Sequence, residues 1–512
     1  MTKKKSDDFG PRIAAAYATG GPALELGRGL HGGAVSPDAV VQVPAAMCNR
    51  HGLIAGATGT GKTKTLQLMA EQLSAMGVPV FAADVKGDLS GLSRAGQAGD
   101  GVNRRAGELG IEWSPAGFPV TFLSLGGVGP GVPVRATISG FGPQLLAKVM
   151  DANETQASSL SLVFRYADDN GLALLDLADL REVLRFLDSD EGKADLKQIG
   201  GLSSATAGVL LRKIVELEDQ GGEAFFGEPE LEVADLLRTT PEGQGVISCL
   251  ELAAVQAQPR MFSTFLLWLL GELFHDLPEV GDLDKPKLVF FFDEAHLLFA
   301  DASKAFVEQI TQTVRLIRSK GVGIFFITQL PDDVPDEILA QLGNRIQHAL
   351  RAFTPRDAKA LKAAVTTYPD TDDYDLAEDL TQLGTGEAMV TILSERGAPT
   401  PVVWTRLRPP RSLMAAVETD AIDKAAHDSS LWSKYAEEVD RESAREKLAA
   451  RLATAAEVTT PAAPAQPKAP AATPHKKGGD DNAVLGYLKS REGRSMVNTV
   501  TRGVFGLLRK RL

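Results

Sequence analysis

The sequence predicts an α/β fold built on a mainly parallel sheet, and three observations carry that prediction. From Gly52 onward, short apolar runs bounded by loops alternate with helical patterns, the rhythm of strands joined by crossover helices. Leu288–Phe292 is five apolar residues in a row, the signature of a strand buried on both faces. Between the first such run and the helix after it lies the glycine-rich segment Gly56–Thr63, which places a tight loop at a strand–helix junction.

Taken in order, residues 1–45 read as a short irregular segment broken by Pro11, Gly20, Gly21 and Pro22. Leu53–Ala55 reads as a strand and Thr63–Met76 as the helix that follows. Val78–Ala83 reads as a second strand, with a polar loop from Asp84 to Asp88. Residues 46–142 thus form the first part of a core. From 143 to 237, apolar residues recur at helical spacing in Leu145–Met150, Leu160–Tyr166, Leu180–Leu187 and Val209–Leu217, which predicts an all-helical insertion. The core resumes over 238–410 with strands at Gly245–Leu252, Leu288–Phe292 and Val322–Thr328. Glu387–Leu393 and Val402–Leu407 close it. Residues 411–458 are charged and helical in pattern; 459–475 form an Ala/Pro-rich linker; 476–512 form a basic tail.

Composition excludes several classes. The apolar run Met261–Phe274 is broken by Ser263, Gly271 and Glu272 and is shorter than a membrane span, so it reads as a buried helix. The start Met1-Thr2-Lys3-Lys4-Lys5 leads into no apolar run, which argues against a secretory signal. Cys48 and Cys249 are too few for a disulfide framework or a cysteine-built zinc site, and a cytoplasmic location is expected. A net charge of −12 disfavours a chain coated in nucleic acid, but leaves room for a local basic surface. From Lys476 to Leu512 there are nine Lys/Arg against three Asp/Glu, so the tail is basic while the rest is acidic.

The chemistry starts at Gly56-Ala57-Thr58-Gly59-Thr60-Gly61-Lys62-Thr63, which fits G-x-x-x-x-G-K-[ST]. Glycines let the backbone curl so that its N–H groups converge on phosphate oxygens, and the following helix adds the positive end of its dipole. Lys62 is expected on the β- and γ-phosphates of ATP and Thr63 on Mg²⁺, with Lys64 in the same nucleotide-binding stretch. The bland alternative, a chance match in a Gly-rich chain, is disfavoured by the strand before it and the helix after it.

Leu288–Phe292 ends in Asp293-Glu294, an apolar body delivering two carboxylates to the sheet edge. Asp293 is expected to hold Mg²⁺ through water and Glu294 to act as general base. Phe325-Phe326-Ile327-Thr328 delivers Gln329 to the same edge, where an amide would sense the γ-phosphate; the alternative is a polar strand cap. Arg315 and Arg318 are candidate arginine fingers acting across a subunit boundary, with Arg345 and Arg351 as rivals. His296 reads as a hydrogen-bonding histidine rather than a metal ligand. Asp84, Lys86 and Asp88 read equally as nucleotide or subunit contacts and as a plain polar loop.

These motifs carry a resemblance. R-H-G-L-I-A-G-A-T-G-T-G-K-T, G-V-P-V-F-A-A-D-V-K-G-D-L-S-G, F-F-D-E-A-H and F-F-I-T-Q-L-P together look like the HerA-like branch of the HerA/FtsK P-loop ATPases. V-R-A-T-I-S-G-F-G-P, N-E-T-Q and L-L-D-L-A-D-L resemble more closely a bacterial HerA-like family bearing the helicase HerA-like C-terminal domain. The resemblance runs from about Cys48 to Leu407 and weakly over the extreme C-terminus. It implies a RecA-like core, a hexameric ring with ATP between subunits, and DNA translocation. It also aligns Arg315–Gly321 with the family's arginine segment and favours Arg318 as the finger. HerA proteins carry an N-terminal β-barrel that helps bind a nuclease. The stretch before Gly56 is too short for one, so neither that pairing nor DNA end resection is carried over.

Three functions therefore compete. The first is an ATP-driven ring motor on DNA. The second is an ATP-dependent scaffold or protein-remodelling ATPase that recruits a protein partner through 143–237 or the C-terminal region. The third is a membrane-surface ATPase anchored by an amphipathic basic helix over Val497–Leu512.

Overall fold

In the computed structural model, the described residues are 8–196, 200–299, 304–439 and 441–458. Twelve strands make one sheet: β1 Ala23–His31, β2 Ala34–Pro44, β3 Gly52–Ala55, β4 Val80–Asp84, β5 Val120–Leu125, β6 Val132–Val134, β7 Ile247–Glu251, β8 Leu288–Phe292, β9 Val322–Thr328, β10 Asn344–Gln347, β11 Glu387–Thr391 and β12 Val403–Leu407. Their spatial order is β2-β1-β12-β11-β10-β3-β9-β8-β4-β7-β5-β6. From β10 through β6 every pairing is parallel, and from β10 outward to β2 every pairing is antiparallel.

Side chains alternate across the sheet as a two-residue period demands. Phe290 and Phe292 of β8 face a core shared with the helices Glu154–Asp169, Leu177–Asp188 and Ser204–Asp219. Val289 and Phe291 face the opposite core, with Leu66, Met69 and Leu73 of the helix Lys62–Ala75. Across β8 and β9, Phe291 stacks on Phe325 at 5.4 Å and Phe292 on Phe326 at 5.6 Å, one pair on each face. Each fully buried phenylalanine stabilises the fold by roughly 2–3 kcal/mol, so the middle of the sheet is its most firmly held part.

Between β6 and β7 the chain is helical, beginning with Ile138–Val149, and its apolar residues join the same core as β8. The greasy run after it is the helix Pro259–Asp276, with Phe265, Trp268 and Leu269 fully buried. No helix among the described residues is long and apolar enough to cross a membrane.

Three expectations are corrected. The segment before β3 is not irregular: it holds the helix Phe9–Ala16 and the long strands β1 and β2. Gly27 and Gly29 interrupt the apolar alternation of β1, and Pro37 and Asp38 that of β2, which hid both. In consequence β12 does not close the sheet, because β1 pairs with it through Gly27–Leu407 and β2 lies beyond. The charged region 411–458 is not continuously helical either, and its first helix is Thr419–His427. It contains the short helix Trp432–Tyr435 and then Ala444–Val458. The described residues up to Ala453 pack as one compact unit. The Ala/Pro-rich linker, the basic tail and Val497–Leu512 lie outside the described residues.

Candidate active site

The parallel registers bring the carboxyl ends of five strands into one line. Ala55 of β3 pairs with Thr328 of β9, Phe292 of β8 with Phe326 of β9 and with Ala83 of β4, and Asp84 of β4 with Glu251 of β7. Gly56, Gln329, Asp293, Asp84 and Glu251 therefore meet along a single edge, where ligands of open parallel sheets bind.

The loop Gly56–Thr63 leaves β3 through Gly56 at φ 149°, a region closed to other residues. A Cβ there would also come within 2.5 Å of the His348 Cβ, so the loop depends on glycine twice over. The Gly56 N–H is shared by the Thr328 and Gln329 carbonyls at 3.2 Å, and the Ala57 N–H donates to the Ala349 carbonyl at 2.8 Å. The loop is thus tied to β9 and to the end of β10. Thr58 and Gly59 form its exposed tip, while Thr60 is buried and its hydroxyl donates to the Ala57 carbonyl. Lys62 is buried, and its ammonium donates to the Gly56 and Ala57 carbonyls at 2.7 and 3.2 Å. No side chain caps the helix Lys62–Ala75, whose first residue follows Gly61, so its first-turn amides and dipole face the loop.

Burial lowers the pKa of Lys62, while Glu294 and Asp293 push it up, which puts the ammonium within the field of both carboxylates. Burial lowers that of Lys64 as well, with Asp88 and Asp84 opposing. Asp293 is 4% exposed, and its Oδ2 has no hydrogen-bond partner. Burial, and then the neighbouring Glu294 charge, raise it to about 7. Glu294 behaves oppositely. Burial raises it, but His296 and Lys86 outweigh burial and hold it at about 2. His296 Nδ1 lies 3.2 Å from Oε2, and the Lys86 ammonium pairs with Oε1. Glu294 also sits at φ 48°, a left-handed conformation uncommon outside glycine.

Asp84 organises its own loop. One oxygen accepts from the Lys86, Gly87 and Asp88 amides and the other from Leu89, and that turn presents Lys86 to Glu294. Burial keeps Asp84 up at about 6 and Glu251 at about 8, the Asp84 charge adding to the latter.

Gln329 is exposed at the edge, one residue past β9, with β9 lying between the loop-bearing β3 and the acidic β8. Arg315 and Arg318 are placed elsewhere. Arg315 lies in the last turn of the helix Lys304–Ile317 and Arg318 opens the turn after it, just before β9 begins, so they lie at the amino edge of the sheet. Arg318 is near Arg50 and Asp282 there. Arg345 is held within the chain by Thr367 and the Leu339 carbonyl, whereas Arg351 is exposed just past β10 on the loop side.

Residue patterns gave no notice of two neighbours and the cavity beside them. His348 is fully buried, bonds the Thr65 hydroxyl at 2.9 Å through Nε2, and is held neutral by burial and Lys62, at about 3. Arg105 donates to the Gly386 and Thr385 carbonyls at 2.8 and 2.9 Å. Beside it, Gly61, Lys64, Val102, Leu407, Pro409 and Met414 line a mostly apolar cavity of about 250 Å³. The short, polar β10 and the distant segments that meet here carry no local signal.

Comparisons agree with this architecture. The family described as helicase HerA-like C-terminal matches residues 31–509. A probable helicase of Methanocaldococcus jannaschii is 34% identical over 121 residues, 23% of this chain and 21% of that protein, so the match spans about a fifth of that relative. Among solved structures, the bacterial conjugative coupling protein TrwBdeltaN70 in an unbound form has a TM-score of 0.52 at 15% identity, covering 80% of this chain and 94% of that one. The plasmid coupling protein TrwB in complex with ADP and Mg²⁺ has a TM-score of 0.50 at 16% identity, covering 77% and 98%. At such identities the likeness concerns the fold, that of a RecA-like P-loop ATPase. Since the family match spans nearly the whole sequence, the chain belongs to the helicase HerA-like C-terminal family of nucleotide-binding P-loop ATPases.

Proposed function

We propose that the chain hydrolyses ATP with Mg²⁺ and works as a ring of identical subunits that moves along DNA. The observation that carries the reading is the convergence of Lys62 with Asp293 and Glu294 at one sheet edge, beside uncapped helix amides. In this reading the loop amides and Lys62 hold the phosphates of ATP, and the apolar cavity beside Lys64 takes the base and sugar.

The donor set fits a hard divalent cation. The unpartnered, buried Asp293 Oδ2 and the Thr63 hydroxyl are oxygen ligands of the kind Mg²⁺ prefers. Bound Mg²⁺ would supply charge neutralisation at the transferring phosphoryl group. Glu294 takes the proton from the attacking water, Lys62 stabilises charge on the phosphate oxygens, and the Gln329 amide orients that water.

The position of Arg318 supports a ring. It precedes β9 while the phosphate loop adjoins the far end of that strand, seven residues on, a separation of roughly 20 Å. A finger at Arg318 cannot serve its own loop, so the reading requires a neighbouring subunit's site. TrwB, with its ADP and Mg²⁺ complex, supports the cofactor assignment by fold alone. The test is ATP turnover with and without DNA, beside the assembly mass: turnover stimulated by DNA from a multimer supports the reading, and DNA-indifferent turnover by a monomer refutes it.

A second reading, an ATP-dependent scaffold or protein-remodelling ATPase, is favoured by one feature. A cavity of about 620 Å³ is lined by Glu228, Glu230, Glu232, Glu272 and Asp276, with Arg441 paired to Glu228, a mostly acidic surface that disfavours DNA and suits a cationic protein segment. Capture of one stoichiometric protein partner without DNA stimulation would select it.

A further inference from the structure

The loop after β10 and the helix Pro355–Val365 differ from the rest of this acidic chain. Phe353 is 84% exposed, far more than any other large apolar side chain among the described residues. Thr354 caps the helix by accepting from the Asp357 N–H, and the Asp357 carboxylate accepts the Thr354 N–H in return, which fixes the entry geometry. Ala360 and Ala364 bury one face of the helix. The opposite face presents Arg356, Lys359 and Lys362, three positions spaced three apart and all exposed. The nearest acidic partner of Arg356 is Asp333, 4.0 Å away, whose other oxygen already accepts from Thr328 and Leu330. A row of exposed cations beside an exposed aromatic ring is the chemistry that grips a single nucleic-acid strand, with phosphates on the cations and a base on the ring.

We propose that Phe353 and the Arg356–Lys359–Lys362 face form the surface on which this chain holds a single strand of DNA. The inference rests on the DNA-motor reading above and says which surface does the holding. It also explains how nucleotide state reaches the strand. The same segment is joined to the phosphate loop through Ala57–Ala349, and to the end of β3 just before that loop through His348, whose N–H donates to the Ala55 carbonyl at 2.7 Å. A loop that shifts on binding phosphate therefore pulls directly on the root of the DNA-holding surface.

The experiment is fluorescence anisotropy of a labelled thymidine oligomer with the full chain, titrated over a range of salt. Phe353→Ala is compared with the triple variant Arg356→Gln, Lys359→Gln, Lys362→Gln. Phe353→Ala should weaken binding about tenfold, the loss of one stacked base. The triple variant should weaken it more and lower the slope of log affinity against log salt by about 2, three phosphate contacts at ~0.7 each. Nucleotide binding without DNA and the assembly mass should stay as in the wild type, which shows that the variants fold. Wild-type binding that both variants retain overturns the surface and leaves the motor reading standing. Absence of wild-type binding at low salt, to single strand and duplex alike, overturns the motor reading itself. Variants that instead change the assembly mass assign the surface to contact between copies and overturn the proposal.

Discussion

The Lys86 ammonium forms an ion pair with the Glu294 carboxylate, joining the loop after β4 to the loop after β8. The proposed general base is thereby held by a counter-ion on one oxygen and faced by His296 on the other. A carboxylate so stabilised accepts a proton with little driving force. Lys86→Met is therefore expected to raise basal ATP turnover severalfold while leaving the KM for ATP nearly unchanged, as read from steady-state kinetics. A drop in kcat would instead make Lys86 a participant in the reaction.

The apolar cavity beside Lys64 gives a second prediction. Met414 lies at its wall, partly exposed, so a larger side chain has room to enter without disturbing a packed core. Met414→Trp is expected to weaken ATP binding about tenfold, roughly 1.4 kcal/mol, and to leave inhibition by pyrophosphate unchanged. Calorimetry with each ligand checks it. Equal losses for both would mean that the cavity does not hold the base.

Glu251 supplies a pH dependence. Its carboxyl is 3% exposed, close to Asp84, and held up at about 8 in the folded chain against about 4.5 when unfolded. The folded state therefore binds the proton more tightly. Its contribution is full below pH 4.5 and is lost as pH rises through 8. Glu251→Gln should raise stability at pH 8 by something on the order of 4 kcal/mol, with the gain vanishing near pH 4. Denaturant midpoints at the two pH values measure it. A gain equal at both would show that charge is not the cause.

Much of this fold was legible because its central strands are unbroken apolar runs. Leu288–Phe292 and Val322–Thr328 are β8 and β9 to the residue, and the helix after the glycine-rich loop begins one residue before the expected Thr63. What escaped were strands whose pairing, rather than composition, makes them strands. β10 is Asn-Arg-Ile-Gln, strand-like only because β3 and β11 flank it. The candidate site divides in the same way. Residues within one motif, Gly56–Thr63 and Asp293–Glu294, announce themselves by spacing. Lys86 meets Glu294, and His348 meets Thr65, across 208 and 283 residues, and only the strand order creates those contacts. Spacing could not choose among the arginines, and the place of Arg318 at the amino edge of the sheet became visible only with β9 in position.

Paired nucleotide binding and hydrolysis by Lys62→Ala and Glu294→Gln test the central claim most directly. Losing the ammonium should weaken ATP binding, whereas the amide at 294 should leave ATP bound at wild-type affinity and lower turnover at least about a hundredfold. Normal turnover by Glu294→Gln, or undiminished ATP binding by Lys62→Ala, would contradict the account.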